Sequence, residues 1–172
     1  DLNEAIDLSI FLTGRFEPSI LRTIKRLTLK NDYDYLDIGA NCGAHTLYLA
    51  KEFSHSKIFA IEPTNYTFNK LLKNIDLNPN LKKQIIPIQA FISSKKTKPE
   101  NVYTSWQLSS KDNKHSQHLG IKKPLNGCDL ITLDKLVEEN KIKKSFFKCD
   151  VDGNELFVFN SGFNYLKEFK PI

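Results

Sequence analysis

Glycines and acidic residues directly follow the first apolar stretch that resembles a β-strand. Residues 33–38 form this stretch, which ends at Gly39 and Gly43, and a helical pattern begins at Ala44. Such a strand–loop–helix sequence is the beginning of a βαβ unit. The glycines allow unusual dihedral angles and a close approach to a ligand. Because the free N–H groups of the helix point at the same place, we expect a ligand-binding loop here.

The residue types in and around this loop restrict the kind of ligand. Asn41 stands where a dinucleotide fingerprint needs glycine, and the Gly-Lys-Ser/Thr sequence of a P-loop is absent. Asp37 ends the strand, and a carboxylate there disfavours a pyrophosphate but suits an ammonium or a sulfonium. Glu62 follows the next apolar strand, residues 57–61, where an acid can accept both hydroxyls of a ribose. The pattern predicts S-adenosylmethionine as the ligand. The alternative is a structural glycine turn in which Asn41 only caps the helix.

A second group of acidic residues follows a later strand, residues 145–149. Ligands of open α/β sheets lie outside the carboxyl ends of the strands, so this group should face the same crevice as the glycine loop. Asp150 and Glu155 are the candidate catalytic residues, since they could orient and deprotonate an acceptor hydroxyl. With Asp152 they could instead hold a divalent cation. For Asp152 we expect a helix-capping role.

Several further elements must position these residues. Alternating apolar residues over 6–12 predict a short strand, and a helix from Pro18 covers one sheet edge, with Glu17 reaching over the mouth of the site. Amphipathic helices are expected over 44–53 and from Thr64. A strand over 84–92 contains Pro87, which favours a sheet edge and the strand order 3-2-1-4. A last helix is expected to bury three apolar residues, which are Leu156, Phe159 and Phe163.

One domain of 172 residues is expected. Residues 93–127, rich in Lys, Ser and Asn, are too long for an idle loop and should form a hairpin or a lid, in which Trp106 is a candidate acceptor contact. His115 and His118 lack a third ligand nearby, so we assign no metal site. The parts are an N-terminal cover (1–30), a cofactor-binding half (35–92), the insertion (93–127) and an acceptor-side half (128–172).

The charge and the cysteine content limit the classes to which the protein can belong. The net charge is +5, but the lysines are scattered in pairs, so a solvated surface is favoured over nucleic-acid binding. No apolar run approaches the length of a membrane span. The three cysteines form no Cys-x-x-Cys pair, and a reduced, cytoplasmic setting is the default expectation.

The motifs together resemble the FkbM family of S-adenosylmethionine-dependent methyltransferases. The resemblance implies a Rossmann-like class I α/β fold, a three-layer sandwich around a mainly parallel sheet, here with its C-terminal strands apparently missing. It also implies methyl transfer to a hydroxyl of a small molecule, commonly a sugar or a natural-product scaffold. The matching stretches, in the order of the family, are residues 14–18, 37–43, 60–63, 132–134 and 148–156.

Two departures from the family pattern leave alternatives open. Asp152 and Asn154 stand where the family usually has Glu and His. A degenerate cofactor-binding module without activity would fit these changes. A methyltransferase acting on nucleic acid would fit the basic charge, but the Asn/Asp-Pro-Pro-Tyr/Phe block of enzymes that methylate base nitrogens is absent after Asp150. A nicotinamide-dependent enzyme is the least favoured of these alternatives, because its glycine pattern is absent.

Overall fold

The computed structural model describes residues 2–28, 33–104 and 121–172. Its centre is a parallel four-stranded sheet in the order β3-β2-β1-β8, which confirms the predicted order. Pro87 lies in the outer strand β3, where a residue without an N–H is tolerated. The strands are β1 (Asp34–Ile38), β2 (Ile58–Ile61), β3 (Ile85–Ile88) and β8 (Ser145–Cys149).

Helices cover both faces of this sheet and make a three-layer sandwich. Two separate apolar cores result, one on each face. On one face lie α2 (Pro18–Thr28), α3 (Ala44–Glu52) and α4 (Asn65–Asp76). On the other lie α5 (Leu133–Glu139), α6 (Glu155–Ser161) and α7 (Phe163–Phe169). This is the mixed α/β architecture with a mainly parallel sheet that was expected.

The predicted continuous strand over 84–92 is wrong, because the backbone changes its partner at Gln89. β3 pairs with β2, whereas β4 (Ala90–Ile92) pairs in parallel with β7 (Asp129–Ile131). The following segment contributes an antiparallel pair, β5 (Asn101–Thr104) with β6 (Ile121–Pro124). A hairpin was one of the two forms expected there. The predictions for Trp106, His115 and His118 concern residues that lie outside the described ranges.

The predicted N-terminal strand is also wrong, because α1 (Ala5–Thr13) is a helix. Glu4 and Asp7 both contact the ammonium of Lys70, at 2.7 and 2.8 Å. Residues three apart share a face in a helix but point to opposite sides of a strand. Lys70 thus contacts both the N-cap residue and the first turn of α1, and the alternation of apolar residues was not a strand signal.

The inward residues of the last helical region were predicted incorrectly. Leu156, Phe159 and Phe163 are exposed, and Val158 and Ser161 are buried in their place. The Ser161 hydroxyl accepts a hydrogen bond from the backbone N–H of Leu133 at 3.0 Å. Ser161 is therefore buried because its hydroxyl accepts the free backbone N–H at the start of α5. This changes which face of α6 is buried.

Two observations complete the fold. Ile172 exchanges backbone hydrogen bonds with Ser145 and Phe147, at 3.3 and 2.9 Å, which is how a parallel strand would pair with the outer edge of β8. Among the described residues, no helix combines the length and apolar character that crossing a membrane requires.

Candidate functional site

The turn after β1 has an unusual backbone because it packs directly against the loop after β8. Gly39, Asn41 and Gly43 all have positive φ, at 80°, 52° and 87°. A Cβ atom on Gly39 would lie 1.8 Å from the carbonyl oxygen of Asp150. The close approach requires glycine at this position, and it brings the two strand ends of the predicted site together.

Glu62 is a buried carboxylate at the end of β2. Its Oε1 accepts hydrogen bonds from the backbone N–H and hydroxyl of Thr64, at 3.0 and 2.7 Å, and from the hydroxyl of Thr67 at 2.5 Å. Its Oε2 accepts the backbone N–H of Asn41 at 3.1 Å. Burial raises the pKa of Glu62 above its ordinary value, against the opposing effect of these donors. Within the described part of the chain, Oε2 has fewer donors than Oε1 and can accept more.

A cavity of about 60 Å³ opens at the carboxyl ends of the strands. Its wall consists of the ends of β1, β2 and β4, the strand β5, and the loop after β8. Four of the predicted site residues line it, which are Gly39, Asn41, Glu62 and Asp150. Asp152, for which a capping role was expected, also lines it.

Asp37 is fully buried and is already engaged by protein groups. The hydroxyl of Thr46 donates to its Oδ2 at 2.7 Å, and the ammonium of Lys148 lies 3.0 Å from its Oδ1. The latter contact is ionic, since its angles fall outside hydrogen-bond geometry. Burial would raise the pKa of Asp37, but the nearby charge of Lys148 prevails and lowers it. Asp37 is not among the residues that line the cavity.

Lys148 was missed in the sequence. Besides contacting Asp37, its ammonium donates to the carbonyl of Gly39 at 3.2 Å and lies 3.8 Å from a carboxylate oxygen of Asp150. Burial would lower the pKa of Lys148, but Asp37 and Asp150 outweigh it and raise the pKa. Lys148 thus ties the glycine turn to the loop after β8.

His45, in the first turn of α3, was also missed. Its Nε2 lies 3.3 Å from a carboxylate oxygen of Glu17, and its ring contacts that of Phe16 at a centroid distance of 5.7 Å. Burial lowers the pKa of His45, although the charges of Asp37 and Glu17 oppose that effect. A buried His at this place carries no motif signal, so only the folded arrangement relates it to Glu17.

Glu155 holds the loop after β8 in place and does not line the cavity. Its Oε1 accepts the backbone N–H groups of Val151 and Gly153, at 3.1 and 3.3 Å. Burial would raise the pKa of Glu155, but these backbone hydrogen bonds lower it. Asp150, by contrast, has a side chain that is 64% exposed. Of the two candidate catalytic residues, only Asp150 lines the cavity.

The remaining predicted site residues lie apart from the cavity wall. The N–H-rich turn at Gly43 packs under α4, where an added Cβ would lie 2.6 Å from Leu71. Glu17 contacts His45, with 37% of its side chain exposed. In the part of the chain that the structure describes, no three His, Cys, Asp or Glu side chains converge as a metal site would require.

Comparisons with known proteins agree with this architecture. Residues 37–172 match the model of the family described as "Methyltransferase FkbM domain". The chain is 27% identical over 157 residues to the hexuronic acid methyltransferase AglP of Haloferax volcanii, covering 89% of this chain and 59% of that protein. The crystal structure of Methyltransferase FkbM from Methylobacillus flagellatus has the same fold, with a TM-score of 0.52 and 14% identity. That match covers 81% of this chain and 31% of the crystallised one.

Proposed function

The chain belongs to the FkbM methyltransferase family, and from this premise we propose that it transfers a methyl group from S-adenosylmethionine to a hydroxyl oxygen of a saccharide. The observation that carries the proposal is that Asp150, whose side chain is largely exposed, lines the same cavity as the buried acid Glu62. In this proposal Glu62 serves the cofactor and Asp150 serves the acceptor. The chain spans 59% of the length of AglP, so the activity of the whole protein is part of the proposal.

The residues around the cavity fit S-adenosylmethionine. Glu62 Oε2 would accept the ribose hydroxyls, because it lies at the tip of the second strand with spare acceptor capacity. Gly39 and Asn41 would form the wall beside the methionine part, since their turn lines the cavity and precedes the N-terminus of α3. When bound, this cofactor supplies an electrophilic methyl group.

Asp150 is the residue proposed to act on the acceptor. It would accept the proton of the attacking hydroxyl while the loop after β8 holds it at the cavity mouth. Proton removal by a positioned side chain typically contributes about 10²–10⁴-fold to a rate. Alignment of the acceptor oxygen with the methyl group supplies a further share of the acceleration. Glu155 supports this arrangement from behind by fixing the backbone of Val151 and Gly153.

The name of AglP supports a hexuronic acid as the first acceptor to test. Such a sugar offers two kinds of oxygen, its hydroxyls and its carboxylate. A carboxylate acceptor needs no base, and Asp150 would repel it. The position of Asp150 therefore favours a hydroxyl.

The test is methyl transfer from radiolabelled S-adenosylmethionine to methyl glycosides of hexuronic acids, by the wild type and by Asp150→Asn. We expect an alkali-stable methyl ether from the wild type and a loss of rate of about 10²-fold or more in the variant. An alkali-labile ester that Asp150→Asn still forms would assign the carboxylate as acceptor and contradict the hydroxyl. Labelling of nucleic acid in place of sugars would favour the nucleic-acid alternative. Cofactor binding without transfer to any of these acceptors would favour the non-catalytic module.

A further inference from the structure

Asp37 was expected to bind the ammonium group of the cofactor's methionine part, but its position prevents this. It is fully buried, and both of its oxygens are already in contact with Thr46 and Lys148. A ligand could reach Asp37 only by displacing the ammonium of Lys148. If the proposed function holds, another acceptor near the glycine turn takes this role.

We propose that Glu17, held in place by His45, binds the α-ammonium group of S-adenosylmethionine. The inference rests on the proposed function, because it names the residue that completes the cofactor site. Glu17 contacts the first turn of α3 through His45, directly after the glycine turn. Its carboxylate is also 37% exposed, so a ligand can reach it without unfolding the protein.

His45 is a positioning residue in this arrangement. The imidazole is 95% buried at its side chain and stands against the ring of Phe16, so it has little freedom to move. Nε2 lies 3.3 Å from a carboxylate oxygen of Glu17, and no described residue forms a hydrogen bond with it. A neutral imidazole in this position limits the movement of the Glu17 carboxylate and leaves its negative charge for a ligand.

The backbone of Glu17 gives independent support. Its φ is +45°, which is uncommon for a residue with a side chain, and it directly precedes Pro18, which further restricts its conformation. Such strain persists only where the surroundings hold it, and it is concentrated at functional sites. Here the strained residue is the one whose carboxylate contacts His45 at the start of α3.

The charges around the glycine turn also favour a cationic ligand. Glu17 and Asp150 both act on His45 and on Lys148, so the two carboxylates lie on the same side of the turn. With Asp37 there are three carboxylates in this group and one ammonium, that of Lys148. An added ammonium group would restore part of the balance, whereas a neutral or anionic ligand would not.

Calorimetric titration with three ligands tests the inference. S-adenosylmethionine and S-adenosylhomocysteine carry the ammonium group, and 5′-methylthioadenosine lacks the whole amino-acid part. We expect Glu17→Gln to weaken the first two by about ten- to a hundred-fold and to leave the third unchanged. His45→Gln should weaken the same two ligands by a smaller factor. Glu139→Gln, a change at an exposed carboxylate on α5, is the matched control and should change none of them.

The other outcomes separate the two proposals. General damage to the fold would weaken all three ligands together, which would contradict a specific role of Glu17. Weakening of S-adenosylmethionine alone would mean that Glu17 senses the sulfonium, and it would overturn the ammonium assignment. Equal binding by the wild type and Glu17→Gln would overturn this inference and leave the proposed function intact. If the wild type binds none of the three ligands, the proposed function fails and the inference with it.

Discussion

Asp37 and Lys148 are partners in the register of β1 and β8, and the ammonium of Lys148 lies 3.0 Å from Oδ1 of Asp37. Side chains of register partners lie on the same face of a sheet, so the pair forms wherever these two strands meet. Lys148 also donates to the carbonyl of Gly39. The pair thus connects the assembly of the central sheet to the shape of the glycine turn.

Breaking this pair should be costly. Lys148→Met leaves Asp37 as an uncompensated buried charge, and we expect a loss of about 3–5 kcal/mol in the free energy of unfolding. The double variant Asp37→Asn/Lys148→Met should lose less than the two single variants added together, because neither charge then remains alone. Urea denaturation of the four proteins measures this. Additive losses would mean that the two side chains act independently.

The pH range of this stabilisation follows from the two pKa shifts. The pKa of Asp37 is lowered from 3.8, so its contribution is complete above 3.8 and is lost as the pH falls through the folded value. The pKa of Lys148 is raised from 10.5, so its contribution is complete below 10.5 and is lost as the pH rises through the folded value. The stability difference between the wild type and the double variant should be constant between these limits.

Gly39→Ala should damage the site more than its backbone angle alone explains. Gly14 is a matched control, since its φ of 78° is close to the 80° of Gly39 and a Cβ there would meet no atom within 4 Å. For Gly14→Ala we expect a loss of about 1–2 kcal/mol, the cost of a left-handed conformation. Gly39→Ala must also move the backbone of Asp150, so it should lose more stability and weaken S-adenosylmethionine binding in calorimetry. Equal effects of the two changes would contradict the close packing of the two loops.

Glu62→Gln should weaken cofactor binding in a pH-dependent manner. The carboxylate must be ionised to accept both ribose hydroxyls, and we expect the amide to reduce affinity by about ten- to a hundred-fold. Because burial raises the pKa of Glu62 above 4.5, protonation begins at a higher pH than for an exposed Glu. The affinity of the wild type should therefore fall as the pH is lowered from neutral, and that of Glu62→Gln should stay constant. Calorimetric titrations over this range measure both curves, and parallel curves would place the titrating group elsewhere.

Substitutions of Asp150 and Glu155 should have different effects, one on activity and the other on stability. Glu155→Ala removes the acceptor for two backbone N–H groups, and we expect a loss of about 1 kcal/mol of stability. Asp150→Ala removes a largely exposed side chain, so its stability should change by less than about 0.5 kcal/mol while methyl transfer is lost. Thermal unfolding and a transfer assay on the same samples test this. The reverse result would return the catalytic role to Glu155.

The arrangement of the main sheet was predictable because each of its strands is a short apolar run followed by a turn signal. Pro87 marked the outer strand, and Glu62 at the tip of β2 did reach the cavity wall. The N-terminal segment was not predictable in this way, since its helical form depends on Lys70, a residue far along the chain. The change of partner at Gln89 likewise depends on β7 and has no local signal.

The site residues at the strand tips were predictable, whereas the buried contacts behind them were not. The position of Asp37 at the end of a strand predicts that it lies near the ligand. Its contact with Lys148 on the neighbouring strand is what accompanies its burial. That contact could have been foreseen, since the predicted neighbours β1 and β8 bring the two residues into register. The relation between His45 and Glu17 could not, because it depends on how α2 packs against α3. The division of the chain into a cover, two halves and an insertion stays a prediction.

The contact between Lys148 and Gly39 has a consequence for how the protein folds. The two residues are 109 positions apart, so the glycine turn acquires this support only after the segment up to Lys148 has been made. Contacts of such long range form slowly, because the entropy of closing a large loop must be overcome first. A nascent or partly unfolded chain would contain the local strand–turn–helix segment but not the rigid turn. Competence to bind the cofactor should therefore appear late in folding, together with the docking of β8.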